Sequence, residues 1–570
     1  MLVAAVPGED RGGRLAPLRV SGAPAGRVTP VADLAAAVAA WERRDHPRWL
    51  WASTDGIYPG LLRAGARVDR CHDLELTETL LLGYDGRWGE PRALAAAWAR
   101  LSGGPVPRDP PPRQAEPPGG GQAALFDTGP PPAEIGTDPL TAVTEVYADQ
   151  AGRIARTAYP GRFRLLVAAE SAGALIAAEM GRDGLPWRAD VHDRLLIELL
   201  GPPSPVGGPP RRLAELAGAI NDAFGVRGLH PESPAELLRA FAKAGFDLPN
   251  TRRWVLRDVR HPAVPFLLEY KELYRIWTAH GWAWRDAWVQ DGRFRPEFVP
   301  GGVVSGRWAT RGGGALQIPK VVRRAVVADP GWKLVVADAG QLEPRVLAAV
   351  SGDARLAAAG AAGDLYAALA TDSFGGDRAK AKIALLGAMY GQTGGAAIPA
   401  LAVLRRSYPR AFDYVEAAAR TGEQGGLVRS WLGRTCPPPS ASFAADGTLL
   451  TADSGDTGGG AALDDDMPRA RPDARARGRF TRNFVIQATA AEWALVLLAS
   501  LRTALAGTDA QLVFFQHDEV IIHCPADQAA AVATAAQHAA DQAGRLLFGD
   551  SPVRFPLESS VVDCYADAKP

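Results

Sequence analysis

Three short stretches of this sequence carry side chains that could act together on a phosphate ester. Lys333-Leu334-Val335-Val336-Ala337-Asp338 is a buried-strand pattern ending in a carboxylate. The run Gln341–Val350 that follows has helical spacing, with Pro344 tolerable only in a first turn. Taken alone, Asp338 reads as a solvated or helix-capping aspartate. Farther on, Gln511 to His523 has the pattern of a hairpin, two β-rich runs flanking a polar tip with Asp518 and Glu519. A tip acid alone is ordinary solvated charge. Together, aspartates on neighbouring strands could hold a pair of Mg²⁺ ions about 3.5–4 Å apart, the arrangement used for in-line phosphoryl transfer.

The third stretch runs from Arg378 to Gly391. Arg378, Lys382, Leu386 and Tyr390 recur every four residues, a drift of about 40° per step, so they share one gently spiralling helix face. Arg378 and Lys382 are like charges at i,i+4, which costs roughly a few tenths of a kcal/mol in an isolated helix. An anionic ligand would offset that cost, and a nucleoside triphosphate is the natural one. A solvated basic face accounts for the two cations but not for Tyr390-Gly391 on the same stripe.

The chain that must position these groups has 570 residues, too many for one compact core, so about three or four domains are expected. Its 63 basic and 63 acidic residues leave zero net charge, which excludes a wholly basic histone-like protein and an acidic solvating tail, though not a local basic channel. Glycine (62) and proline (46) make up about a fifth of the chain, an excess that must be concentrated in linkers or loops. Cys71, Cys436, Cys524 and Cys564 lie far apart, which excludes a disulfide scaffold or zinc ribbon and fits a reducing compartment. No signal peptide and no apolar run of eighteen residues stands out, so a cytoplasmic, nucleoid-associated protein is expected. Residues 28–101 read as a small α/β unit with a strand at Trp49–Ala52. Helical periodicity marks Leu140–Met180, Pro234–Gly245 and Ala263–Gly281.

Order and spacing now become informative. Asp338-Ala339-Gly340-Gln341-Leu342-Glu343-Pro344-Arg345 resembles motif A of bacterial family A DNA polymerases, the DNA polymerase I type. Arg378–Gly391 resembles motif B, and His517-Asp518-Glu519 resembles motif C. Ser305-Gly306-Arg307 stands where that family has TGR, and Leu316-Gln317-Ile318-Pro319 resembles its LQNIP. The segment from Arg479 through Asn483 and Gln487 to Ala490 is similar to its RxxxNxxxQGTA. The resemblance covers roughly residues 140–570 and implies an α+β multidomain chain: an RNase H-like α/β N-terminal domain, then a right-hand polymerase with helical thumb and fingers and an antiparallel-sheet palm. The corresponding division is 1–101 for a degenerate 3′–5′ exonuclease-like domain and 102–140 for a Pro/Gly-rich disordered linker. Connecting helices and thumb then take 141–295, and palm and fingers take 296–570, with a flexible insertion at 436–478.

The resemblance also implies roles. Asp338 and Asp518 would hold two Mg²⁺, supported by Glu519. Arg323, Arg378 and Lys382 would neutralise the incoming deoxynucleoside triphosphate, with Lys382 as an acid towards pyrophosphate. Gln341 and Leu386 would belong to the nucleotide pocket, where Tyr390 packs on sugar and base beside Glu343. Arg307, Arg345, Arg479, Asn483, Gln487 and His517 would meet primer–template DNA. Leu386 replaces an aromatic residue, so stacking on the nucleotide is lost, and Ala488 replaces a glycine; neither removes a metal ligand. A single-subunit RNA polymerase is the nearest rival, opposed by Glu343, which would block a ribose 2′-OH. A catalytically silent DNA-binding scaffold is opposed by the joint presence of Asp338, Asp518, Arg378 and Lys382.

The N-terminal unit departs from the exonuclease pattern. Pro59 stands in the place of one aspartate, and Trp49–Ala52, read as the first strand, lacks Asp-x-Glu. Asp73-Leu74-Glu75 falls in a helix-forming stretch, and Glu145 replaces the tyrosine expected before Asp149. One acid cannot bind two metals, so a non-catalytic remnant is expected. In the linker, Gln122-Ala123-Ala124-Leu125-Phe126 resembles the Q-x-x-L-F peptides that dock bacterial replication proteins on the sliding clamp. Otherwise a monomer without membrane attachment is expected.

Overall fold

Residues 2–31 already form three strands, ahead of the α/β unit read from residue 28 onward. The computed structural model describes residues 1–8, 11–111, 135–204, 207–311, 313–391, 397–438 and 474–568. Gln122, Leu125 and Phe126, and most of the insertion expected at 436–478, lie outside the described residues. The N-terminal unit begins β1 (Leu2–Pro7), β2 (Gly13–Leu18), β3 (Thr29–Val31), α1 (Leu34–Asp45), β4 (Arg48–Trp51), α2 (Thr54–Arg63) and β5 (Arg70–Asp73). The sheet order is β3-β2-β1-β4-β5, antiparallel through β1 and then parallel, which is the ribonuclease H-like order. The first strand is therefore β1, and the strand read at Trp49–Ala52 is the fourth.

Alternation along β1 feeds two cores: Val3 and Ala5 join Leu34, Val38 and Tyr58 on one face, while Leu2, Ala4 and Val6 join the other. That second face is closed by α3 (Leu74–Tyr84), α4 (Leu94–Ser102) and α5 (Pro139–Ala155). Leu140, Val143, Val146 and Tyr147 of α5 lie on one helical stripe and pack with Leu2, Ala4 and Val6. The unit therefore does not stop at residue 101; its last helix lies beyond the linker. Next, α6 (Pro160–Asp183) runs between this unit and the rest of the chain. Its Glu179 accepts from Tyr58 at 2.6 Å and from the Arg67 guanidinium at 3.1 Å.

The following helices are α7 (Ala189–Leu200), α8 (Arg211–Phe224), α9 (Pro234–Lys243), α10 (Arg253–Arg257), α11 (Ala263–His280) and α12 (Trp282–Trp288). Short strands β6 (Leu185–Pro186), β7 (Val289–Gln290) and β8 (Arg293–Phe294) pair together, as do β9 (Glu297–Val299) and β10 (Ala309–Arg311). The central sheet combines β11 (Trp332–Ala339), β12 (Gln511–Gln516), β13 (Glu519–Pro525) and β14 (Leu557–Val562) in the order β12-β13-β11-β14, antiparallel throughout. Between β11 and β12 the chain makes α13 (Leu342–Val350), α14 (Ala354–Gly360), α15 (Leu365–Ser373), α16 (Arg378–Tyr390), α17 (Ala397–Ser407), α18 (Pro409–Glu423) and α19 (Ala474–Ala504). A final helix, α20 (Ala529–Phe548), packs on β11, β13 and β14.

Helix α19 is long and apolar enough, by length and hydropathy, to cross a membrane, which the sequence reading did not notice. It is instead a core helix: 89% of its apolar window is buried against α6, α18 and α20. Near its end Arg502 donates to Glu179 at 2.7 and 2.9 Å and to the Asp69 carbonyl at 2.6 Å, joining the central body to the N-terminal unit. The hydrogen bonds and charges of Arg502 and Arg67 outweigh burial and hold Glu179 down at about 2.

Candidate active site

Strand β11 is apolar and buried from Leu334 to Ala337 and becomes polar and half-buried at Asp338. Pairing sets Asp338 opposite Glu519 of β13 on one side and opposite Glu558 of β14 on the other. Directly opposed residues of an antiparallel sheet project on the same face. Three carboxylates from adjacent strands thus form one row. His517 and Asp518 make the two-residue turn between β12 and β13, with His517 in the left-handed region at φ 58°. The Ala339 amide donates to the Asp518 carbonyl at 3.1 Å, which pins this turn against the end of β11. Like charges opposed across strands are unfavourable, and an all-oxygen set of this kind suits a hard cation such as Mg²⁺. The residues present fit such an ion. Glu558 was not singled out from sequence; a lone acid in an edge strand carries no signal there.

Glu519 is buried and accepts from the Tyr565 hydroxyl. Burial, then the neighbouring Glu519 carboxylate, raises the Tyr565 phenol far above its usual range, so it stays a donor. The Arg323 guanidinium carbon stacks 4.5 Å from the Tyr565 ring centroid, bringing this predicted cation to the same corner. Tyr565 was missed in the sequence because it lies far along the chain from any acid motif.

The second cluster lies at the start of α13. Glu343 accepts from Arg307 at 2.6 Å and from the Tyr390 hydroxyl. Three sequence-predicted residues from separate segments therefore meet. Burial and the Glu343 carboxylate together push the Tyr390 phenol up, keeping its proton on oxygen. Gly306, at φ 86°, precedes Arg307, and a Cβ there would overlap the Arg434 guanidinium. Arg434 in turn is paired with Glu170, both buried. Glycine is required on both counts.

A third cluster alters the reading of the basic stripe. Gln341, in the left-handed region at φ 59°, donates to Asp364 at 2.8 Å and accepts from the Leu365 amide at 2.9 Å. Arg378 donates to the other Asp364 oxygen at 2.8 Å. Burial opposes the charge on Asp364, but hydrogen bonds from Gln341 and Arg378 win and bring it to about 2. The repulsion between Arg378 and Lys382 is thus already relieved by a carboxylate within the protein, and an anionic ligand is not needed to explain it. Gln341 spends its amide capping α15 rather than facing a nucleotide. Asp364 was missed; its signal was the Asp ahead of the helical run from Leu365. Lys382 is exposed on the next turn, with Leu386 and Tyr390 half-buried beyond it.

Arg345 does not meet DNA in this arrangement. It is 1% exposed, and its guanidinium donates to the carbonyls of Gly340, Gly360, Ala362, Gly363 and Arg554 at 2.5–3.2 Å. It is a strut under α13. Arg479, Asn483 and Gln487 recur every four residues on α19, with Arg479 against Gly391 at the end of α16. The Asn483 Oδ1 is buried without a hydrogen-bond partner.

Comparison with known proteins follows these motifs. The sequence profile described as DNA polymerase family A matches residues 211–561. The thermostable DNA polymerase I of Thermus thermophilus is 26% identical over 349 residues, 55% of this chain and 37% of that protein. DNA polymerase I of Chloroflexus aurantiacus is 26% identical over 389 residues, 61% of this chain and 36% of that protein. These alignments span little more than a third of each curated relative. Among solved structures, the polymerase domain of Pol1 from M. smegmatis, in complex with DNA primer-template and dNTP, superposes with a TM-score of 0.69. The match covers 100% of this chain and 96% of that one at 18% identity, a likeness of fold. With the acid row on β11 and β13, the Glu343–Tyr390 pair and a profile match over more than half its length, the chain belongs to DNA polymerase family A.

Proposed function

We propose that this protein extends a primer 3′ end with deoxynucleotides under the direction of a DNA template. The observation that carries the reading is the convergence of Asp338, Asp518 and Glu519 at one end of the sheet, just before the start of α13 where Glu343 meets Tyr390. In the reaction the primer 3′ oxygen attacks the α-phosphorus, and the bond to pyrophosphate breaks. Two Mg²⁺ held by Asp338 and Asp518 would supply charge neutralisation and a more acidic attacking hydroxyl. Lys382 and Arg378 face the triphosphate, with Arg378 exchanging Asp364 for phosphate oxygens. Lys382 donates a proton to the departing pyrophosphate. His517, Arg479, Asn483 and Gln487 line the approach of primer and template. The protein acts in the cytoplasm with the nucleoid.

Glu343 sets the sugar preference. Held between Arg307 and Tyr390, its carboxylate has little freedom to move away from a ribose 2′-OH. Glu343→Ala is expected to raise ribonucleotide use about 10–200-fold while deoxynucleotide use changes little. Primer extension with Mg²⁺ and either sugar reads this directly. Efficient ribonucleotide incorporation by the unsubstituted protein favours an RNA polymerase instead, and no product with either sugar favours a scaffold.

The N-terminal unit is read as catalytically idle. Leu2, Ala4 and Val6 of β1 meet α5 with apolar atoms, Asp73 spends its carboxylate on the Thr54 and Leu76 amides, and Asp149 lies beside Arg153. Purified protein is expected to leave a mismatched 3′ end intact. Degradation that survives Asp518→Ala and disappears with Asp149→Ala contradicts this. For the linker, the apolar pair Leu125-Phe126 with Gln122 suits a shallow pocket on a sliding clamp. Absence of clamp binding by a peptide spanning Gly119–Gly129 removes that part of the proposal.

A further inference from the structure

A cavity of about 340 Å³ opens where the N-terminal unit, the start of α6 and the segment 429–433 meet. That volume is in the range of small-ligand sites. Tyr84, Tyr159, Arg162, Tyr414, Arg429 and Trp431 supply half of the residues of its wall, and none of them belongs to the polymerase motifs named above. Among the described residues no acidic side chain lines it.

Its charge is positive from three sources. The Arg162 guanidinium carbon lies 3.5 Å from the Trp431 ring centroid and 4.6 Å from that of Tyr159. Arg429 lies 4.2 Å from the Tyr84 ring centroid and donates to the Tyr84 carbonyl at 2.9 Å, while its Nε is buried without a hydrogen-bond partner. Neither guanidinium pairs with a carboxylate among the described residues. A guanidinium stacked by its face keeps its N–H donors in its own plane, where they can meet an anion at its edge. The third source is the N-terminus of α6, a 24-residue helix that starts with Pro160 and has no side-chain cap from Tyr159. Its first-turn amides add partial positive charge at the mouth of the cavity. Two guanidiniums and an uncapped helix start make a site for a phosphate; the Glu492 carboxylate lies behind the wall, engaged by the Ser430 hydroxyl and the Leu432 amide. The rings make a site for something flat beside it: Tyr159 is 64% exposed, and Trp431 is fixed in orientation by its Nε1 bond to the Leu547 carbonyl at 2.7 Å. Base-on-aromatic stacking with arginine nearby is how single nucleotide units are held without sequence preference.

We propose that this cavity binds one nucleotide unit, its phosphate between Arg162, Arg429 and the start of α6, its base against Tyr159 or Trp431. A free nucleotide and a nucleotide within a single DNA strand present the same chemistry. The site is separate from the triphosphate-facing helix α16 and does not depend on the polymerase reading.

The test uses the full chain with a hairpin primer–template occupying the main cleft. Two photo-reactive probes are added separately, 8-azido-deoxyadenosine monophosphate and an oligo(dT) strand carrying 4-thiothymidine. Crosslinks are expected on the peptides holding Tyr159 or Trp431. Labelling by the mononucleotide alone identifies a free nucleotide; labelling by the strand identifies DNA. Arg162→Gln with Arg429→Gln is expected to cut labelling about tenfold or more, from loss of two charge-assisted contacts. Because Arg429 also ties Tyr84 to the central body, Arg162→Gln alone is run beside it, with a loss of about fivefold expected from one such contact. Primer extension by these variants is expected to stay within about twofold of the unsubstituted protein, as befits a distant site. Failure of both probes to label these peptides, or equal labelling of Arg162→Gln, overturns the assignment whatever the extension assay shows.

Discussion

Asp338→Ala, and separately Asp518→Ala, is expected to slow primer extension by at least about three orders of magnitude, roughly 4 kcal/mol of lost transition-state stabilisation. The size of the effect follows from the acid row. Asp338 is the middle member, opposed by Glu519 and Glu558, and its removal takes away the central oxygen donor. Glu519 is poorly placed to substitute, because it is buried and engaged by Tyr565. Binding of primer–template is expected to persist, since the proposed DNA contacts Arg479, Asn483 and Gln487 on α19 are untouched. Single-turnover extension combined with an equilibrium DNA-binding assay separates the two. Near-normal extension by Asp338→Ala removes the two-metal assignment.

Arg345→Ala is expected to be the most damaging single substitution for stability, costing about 3–5 kcal/mol. Its guanidinium serves the carbonyls of Gly340, Gly360, Ala362, Gly363 and Arg554. Truncation strands these acceptors in a site with little access to water, and each buried acceptor left unmade costs about 1–3 kcal/mol. Burial pushes the Arg345 pKa down against the pull of the Asp364 carboxylate, and the guanidinium remains a charged donor. The midpoint of thermal unfolding should fall clearly, with DNA affinity below that midpoint preserved. The reverse outcome, intact stability with lost affinity, restores Arg345 as a DNA contact.

Local pattern made much of the site legible. The strand carrying Asp338, the helix after Gln341 and the hairpin follow from periodicity and turn chemistry, although the turn is His517-Asp518 and Glu519, read as a tip acid, is the buried first residue of β13. The stripe on α16 follows from fourfold spacing. What sequence could not supply was the partner of each polar group, because partners come from distant segments: Tyr565 for Glu519, Asp364 for Arg378, Arg307 for Glu343. Arg345 was misread for the same reason, since a buried arginine and a DNA-facing one look alike without their neighbours. In the N-terminal unit, the alanine-rich β1 gave a weak strand signal, and α5 was assigned across the linker to the wrong side. A helix joins whichever core its apolar stripe fits, and the chain's own order does not say which.

The contact between Arg502 and Glu179 makes the N-terminal unit part of the packing of the rest of the chain. Both charges are buried, and their water is replaced by the Asp69 and Val68 carbonyls, the Tyr58 hydroxyl and Arg67, all from the N-terminal unit. Cutting the chain back to its polymerase portion would expose this pair and the apolar flank of α6 to solvent at once. The unit is thus upholstery for the helix that carries Asn483 and Gln487. A shortened gene would begin with a wounded α6.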